Sequence, residues 1–173
     1  MGGRQGEGRG RPKASIAAAA LMLGTAVTGV GSDASNVRLV HNSERFAVVR
    51  ALGGAARMLG EPECQALLDE FADASGRPLR AALQASGLHA PEYLDGVVFY
   101  DAPARFCEAS ALAVTMPGSR AVLVCGSRFV RQMERNRRHA EAILVHEAFH
   151  SLGLGEKPPS SDYITERIRA RCE

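Results

Sequence analysis

Apolar and polar positions fall into two regimes along this chain, the first of helical period and the second of strand period. From Ser43 to Leu59 the apolar residues Phe46, Val49, Leu52, Ala56 and Leu59 recur at three- and four-residue steps, which predicts a helix with Ser43 as its N-cap. Gly53-Gly54 weakens the middle of that helix. A second helix is predicted from Pro62, a first-turn proline, through Cys64, Leu67, Leu68 and Phe71. A third covers Pro78 to Ala85 and ends at Gly87. At Gly96 the pattern changes. Val97-Val98-Phe99-Tyr100 reads as a strand closed by Asp101-Ala102-Pro103. Ala111 to Thr115 and Ala121 to Cys125 flank Met116-Pro117-Gly118-Ser119-Arg120, two β-favouring runs around a Pro-Gly turn, and so predict a hairpin ended by Gly126. A charged stretch then leads to a helix from about Arg138 to Leu152, stopped by Gly153. After Pro158-Pro159, Ser160 or Ser161 caps a last short helix through Ile164 and Ile168. The expected class is α+β: N-terminal helices, a small antiparallel sheet with a hairpin, one long helix and a short C-terminal one.

The N-terminal part stands apart from this pattern. Residues 1–14 are Gly-rich and basic, and Ser15 to Gly31 is an uncharged apolar run with Ser32-Asp33-Ala34 after it. Basic segment, apolar run and small residues form the three parts of a secretory signal, expected to be cleaved near Ala34; an uncleaved anchor is the alternative. The expected organisation is a signal segment, 1–34, and one domain, 35–173. The net charge of +2 belongs to the first segment, because removing its four bases and two acids leaves 17 of each in the body. A neutral body argues against nucleic acid or an anionic membrane as partner. Arg135-Asn136-Arg137-Arg138 reads as a solvated approach to a helix. A monomer without stable membrane association after cleavage is the expected state.

Export changes the reading of the cysteines. The body carries Cys64, Cys107, Cys125 and Cys172, none of them in a CxxC pair, so a zinc ribbon is disfavoured. Four cysteines permit three pairings, and free buried thiols are a further alternative. Cys107–Cys125 is favoured because the two flank one hairpin, and Cys64–Cys172 would tie the tail to an early helix.

The long helix carries the chemistry. His146 and His150 stand four residues apart in His146-Glu147-Ala148-Phe149-His150, so both project from one helical face, one turn apart. That spacing suits two imidazole nitrogens on one metal ion, and Glu147, about 100° further round, is placed as a general base for the attacking water. Leu144, Val145, Ala148, Phe149 and Leu152 make the helix apolar nearly all round, so it must be buried. Buried histidines and a carboxylate are costly unless something satisfies them, and a metal ion would. Gly153 lets the chain turn sharply and return Glu156 to the same ion. Asp162 and Glu166 are rival third ligands. His41, His89 and His139 are isolated and read as surface residues. Tyr163 either reaches the site or packs on the last helix.

His146 to Glu156 resembles the extended zinc signature of the metzincin peptidases, with Glu156 where the third histidine would stand. The stretch HEAFHSLGLGEKPPSS is also similar to a group of uncharacterised small exported bacterial proteins. The resemblance implies a minimal zincin-like domain, Zn2+ held by His146, His150 and Glu156, and hydrolysis of a peptide or protein substrate with Glu147 as base. Two features depart from the metzincin pattern. No Met follows Met133 to form a Met-turn, and only 17 residues follow Glu156, so the floor of the site must be built differently. A reading of another class is an exported, disulfide-stapled binding or structural module, with a structural zinc or an inactive site.

Overall fold

The computed structural model describes residue 2, residues 34–107 and residues 110–173. The expected signal run, Ser15 to Gly31, lies outside the described residues. The chain builds α1 (Asn42–Gly60), α2 (Pro62–Glu70), α3 (Leu79–Ser86), α4 (Ala90–Asp95), α5 (Gly126–Arg135), α6 (Arg137–Ser151) and α7 (Ser161–Cys172). Four strands, β1 (Val37–Arg38), β2 (Val98–Asp101), β3 (Ala113–Thr115) and β4 (Ala121–Val124), form one sheet in the order β1-β2-β4-β3. The fold is α+β, as its hydrophobic pattern requires.

The sheet is mixed where an antiparallel one was expected. The hairpin is antiparallel, pairing Val114 with Leu123, but β4 also runs parallel to β2, and β2 parallel to β1. Parallel pairing needs a long connection, and the helices α1 to α4 supply it between β1 and β2. β1 is held by Asn36, whose Nδ2 donates to the Asp95 and Val97 carbonyls at 3.1 and 3.0 Å. Among the described residues, β3 is an edge strand with no partner beyond it.

The helix starts and stops follow local chemistry, with corrections. α1 begins one residue before Ser43, with His41 in the cap position and no side-chain cap, so Ser43 is not the N-cap. Its buried stripe is Ala47, Val48, Ala51, Leu52, Ala55, Met58 and Leu59, while Phe46 stays exposed. The glycine pair that weakens this helix has a packing role. A methyl at Gly54 would overlap the side chain of Glu141, so the glycine admits the close approach of α6 to α1. α5 covers part of what read as a charged stretch; only Phe129 is buried on it. Asn136 then caps α6, its side chain accepting from the His139 amide at 3.1 Å. Ser160 caps α7 by accepting from the Tyr163 amide at 3.3 Å.

Two disulfides staple the domain, and both are the favoured pairings. Cys64–Cys172 joins α2 to the last turn of α7 with Cα atoms 4.7 Å apart, closing a separation of 108 residues. Cys107–Cys125 joins the connection before β3 to the end of β4 across 5.5 Å. Arg167 adds two hydrogen bonds to the Glu70 carboxylate, at 2.7 and 2.6 Å, and so binds α7 to α2 a second time. Bridges of this kind belong to an oxidising compartment. Among the described residues, no helix is long and apolar enough to cross a membrane.

Candidate metal centre

α6 is buried along its whole second half, from Leu144 to Ser151, because β3, α1, α5 and α7 all pack around it. Its C-terminus is fixed from two directions. The His150 carbonyl accepts from the Gly153 amide at 2.8 Å and from the Gly118 amide of the hairpin turn at 2.9 Å. Gly153 has φ +113, in the left-handed region where a side chain is strained, and its Cα faces the Asp73 side chain. Tyr93 donates to the Ser151 carbonyl at 3.0 Å and carries the Arg120 guanidinium over its ring.

This frame brings His146, His150 and Glu156 together, with one ligand atom from each inside a 4.8 Å group. The two Nε2 atoms lie 2.8 Å apart, and Glu156 Oε1 lies 3.2 Å from His150 Nε2 and 3.6 Å from His146 Nε2. The set could hold a metal ion. Asp162 and Glu166 line the same cleft but stand outside the ligand group. Among the described residues, the chain beyond Gly153 thus brings Glu156, and neither Asp162 nor Glu166, into one group with the two histidines.

Both rings are oriented from behind. His150 Nδ1 lies 2.7 Å from the Leu154 carbonyl, which can only accept, so Nδ1 donates to it. Leu154 is itself held, its amide on the Phe149 carbonyl at 3.1 Å and its backbone bridged to Asp73. His146 Nδ1 lies 3.0 Å from the Thr165 hydroxyl of α7. Outer partners of this kind fix tautomer and ring plane in metal sites. Burial, and then the neighbouring His150, hold the His146 pKa down at about 4, against the pull of the Glu156 charge. At neutral pH this ring is an uncharged donor of electrons.

Glu147 is the other buried group of the motif, and its Oε2 has no hydrogen-bond partner. Burial raises its pKa to about 7; the Thr115 hydroxyl opposes the rise and the Glu156 charge adds to it. A cleft of about 1060 Å³ opens onto this carboxyl, walled by β3 on one side and α7 on the other. Comparisons with family models, with curated proteins and with solved structures find no match for the chain.

Several contributors were not legible from sequence. Thr115, Thr165 and the Leu154 carbonyl act through contacts that only the fold creates. His139, read as a surface residue, is half-buried and lines the cleft, whereas His41 and His89 are helix-cap positions. Tyr163 packs edge-on against Phe71 with ring centroids 6.4 Å apart and does not line the cleft.

Proposed function

We propose that this chain is an exported zinc-dependent hydrolase of the zincin type that cleaves peptide bonds. One observation carries the reading: two imidazole nitrogens and a carboxylate converge beside the buried Glu147, whose Oε2 has no hydrogen-bond partner. The donor set tests well against a metal. Two imidazole nitrogens 2.8 Å apart need a proton or a cation between them, and two histidines plus one carboxylate are ordinary ligands of zinc. A structural zinc takes four protein ligands, whereas three come together among the described residues. When bound, zinc supplies a Lewis acid that polarises a carbonyl and makes water nucleophilic at neutral pH.

The protein's own part follows from where its groups stand. Glu147 in its ionised form accepts a proton from the attacking water as oxygen bonds to the carbonyl carbon. It then returns that proton to the amine as the C–N bond breaks. A pKa near neutrality suits both transfers. β3 aligns the substrate. Val124 turns its carbonyl toward Ala102, and the Cys125 amide bonds the Leu112 carbonyl, so the backbone groups of Ala113 and Thr115 face away from β4 along the free edge. An extended peptide adds there as a further strand. Export fits both the apolar N-terminal run and the two disulfides.

The test is a broad peptide library cleaved by the zinc-loaded native chain and by Glu147→Gln. The expected result is cleavage that falls by a factor of about 100 to 10000 in the variant, with zinc retained. Equal cleavage by both proteins removes Glu147 from this role, and no cleavage by either removes the peptidase reading.

A further inference from the structure

The cleft continues well past the metal group. α6 and α7 run antiparallel along it. His146 meets Thr165, while Arg138 Nη1 donates to the Glu173 carbonyl at 2.9 Å. The N-terminal half of α6 therefore lies beside the C-terminal half of α7. There the lining is His139 and Ile143 from α6 and Arg169 from α7. Besides Glu147, the acids of the cleft, Glu156, Asp162 and Glu166, and its lysine, Lys157, come from α7 positions no further than one residue past Thr165 and from the segment ahead of that helix. The far end is thus the end with a guanidinium.

β3 gives this end a direction relative to a substrate. The hairpin turn meets the C-terminus of α6 through the Gly118–His150 bond, and Thr115 stands by Glu147. Ser110 and Ala111 line the same cleft and precede β3, at the end of that strand away from the hairpin turn. Antiparallel addition, the more stable pairing, lays a peptide with its C-terminal side toward Arg169. Arg169 lies four helical residues beyond Thr165, about 6 Å, and His139 seven beyond His146, about 10 Å. An extended chain advances about 3.3 Å per residue. Two or three residues cover the gap.

We propose that Arg169, with His139 beside it, is a specificity subsite for a carboxylate two or three residues to the C-terminal side of the scissile bond. The proposal rests on the peptidase reading for the position of that bond. The carboxylate is either an acidic side chain or the terminus of a short peptide. Arg169 is half-exposed, and its Nε donates to Glu173 Oε1 at 3.2 Å, which leaves further N–H donors of the fork for a ligand. Exposed pairs such as Arg169–Glu173 are weak, so an incoming carboxylate competes with Glu173. Burial and the Arg169 charge hold His139 below its ordinary pKa, against Glu173, so its ring offers a hydrogen bond without charge.

Binding separates this proposal from the reading beneath it. The full chain carrying Glu147→Gln, loaded with zinc, is titrated with fluorescent peptides that differ only in Glu or Gln at the second and third positions after a central bond. A second pair differs in a free or amidated C-terminus. The carboxylate peptides should bind about five- to tenfold tighter. Arg169→Gln should bring that ratio to about one, Arg169→Lys should keep part of it, and Glu173→Gln should enlarge it. Whichever pair shows the preference identifies the source of the carboxylate. A ratio of one in the parent, a ratio that survives Arg169→Gln, or a preference for acid on the N-terminal side overturns the subsite. A carboxylate preference in a chain whose native form cleaves nothing would keep the subsite and remove the peptidase. Cleavage without the preference would do the reverse, and failure to bind any of these peptides removes the subsite.

Discussion

The three side chains that could hold a metal ion come from two very different regions. His146 and His150 stand on α6, each with a side chain only 4% exposed and an Nδ1 held by a fixed partner. Glu156 stands on the irregular segment between Gly153 and α7, and its side chain is 47% exposed. The first two are positioned by the same packing that forms the core. The third depends on one glycine turn. As ligands of the proposed zinc they are pre-organised to different degrees, and their contributions to affinity should differ accordingly.

The largest effect should come from the buried pair. His150→Ala is expected to weaken zinc binding by more than about 100-fold, read by competition with a chromophoric chelator, since losing even an outer partner costs about 10- to 100-fold. A loss no larger than that of Glu156→Gln would erase the distinction between the regions. Next is the hinge between them. Gly153→Ala places a Cβ at φ +113 against Asp73, and should cost about 1–3 kcal/mol of folding stability in chemical denaturation. Unchanged stability would show that the turn is not constrained. Glu156→Gln should weaken zinc binding by only about tenfold and leave the metal-free stability unchanged.

The smallest effect concerns pH in the metal-free chain. His146, with its pKa lowered to about 4, binds fewer protons folded than unfolded between about pH 4 and its ordinary 6.5, so its contribution to stability grows as pH rises through that window. Glu147, raised to about 7, binds more protons folded than unfolded above its ordinary 4.5, so its contribution falls as pH rises toward 7. The two oppose one another. Stability should be steeper in pH, rising from pH 4 to 6.5, in Glu147→Gln than in the native chain. An identical slope in both proteins would contradict the buried carboxyl.

The same contrast explains what could be read in advance. α6, its stop at Gly153, the hairpin and Glu156 rest on spacings within about a dozen residues, and each was legible. Both disulfides are the pairings favoured among the alternatives, because their cysteines fall on or beside elements already placed. What escaped was non-local or short. β1 has two residues and gains its identity only by pairing with β2. Parallel pairing of β2 with β4 leaves no mark on either run. α5 buries one residue, so its charged surface hid its periodicity. Gly54 looked like a defect in α1 because its partner, Glu141, lies 87 positions away in the chain. Thr165, Arg169 and His139 share a cleft through α6–α7 packing, which no spacing within either helix encodes.

Metal content of the chain purified without chelators, measured by elemental analysis beside the His146→Ala/His150→Ala double variant, addresses the central claim most directly. One zinc per native chain and none in the double variant is the expected result. A native chain that stays metal-free after dialysis against zinc, or a double variant that keeps its full zinc, would contradict the assignment of this centre.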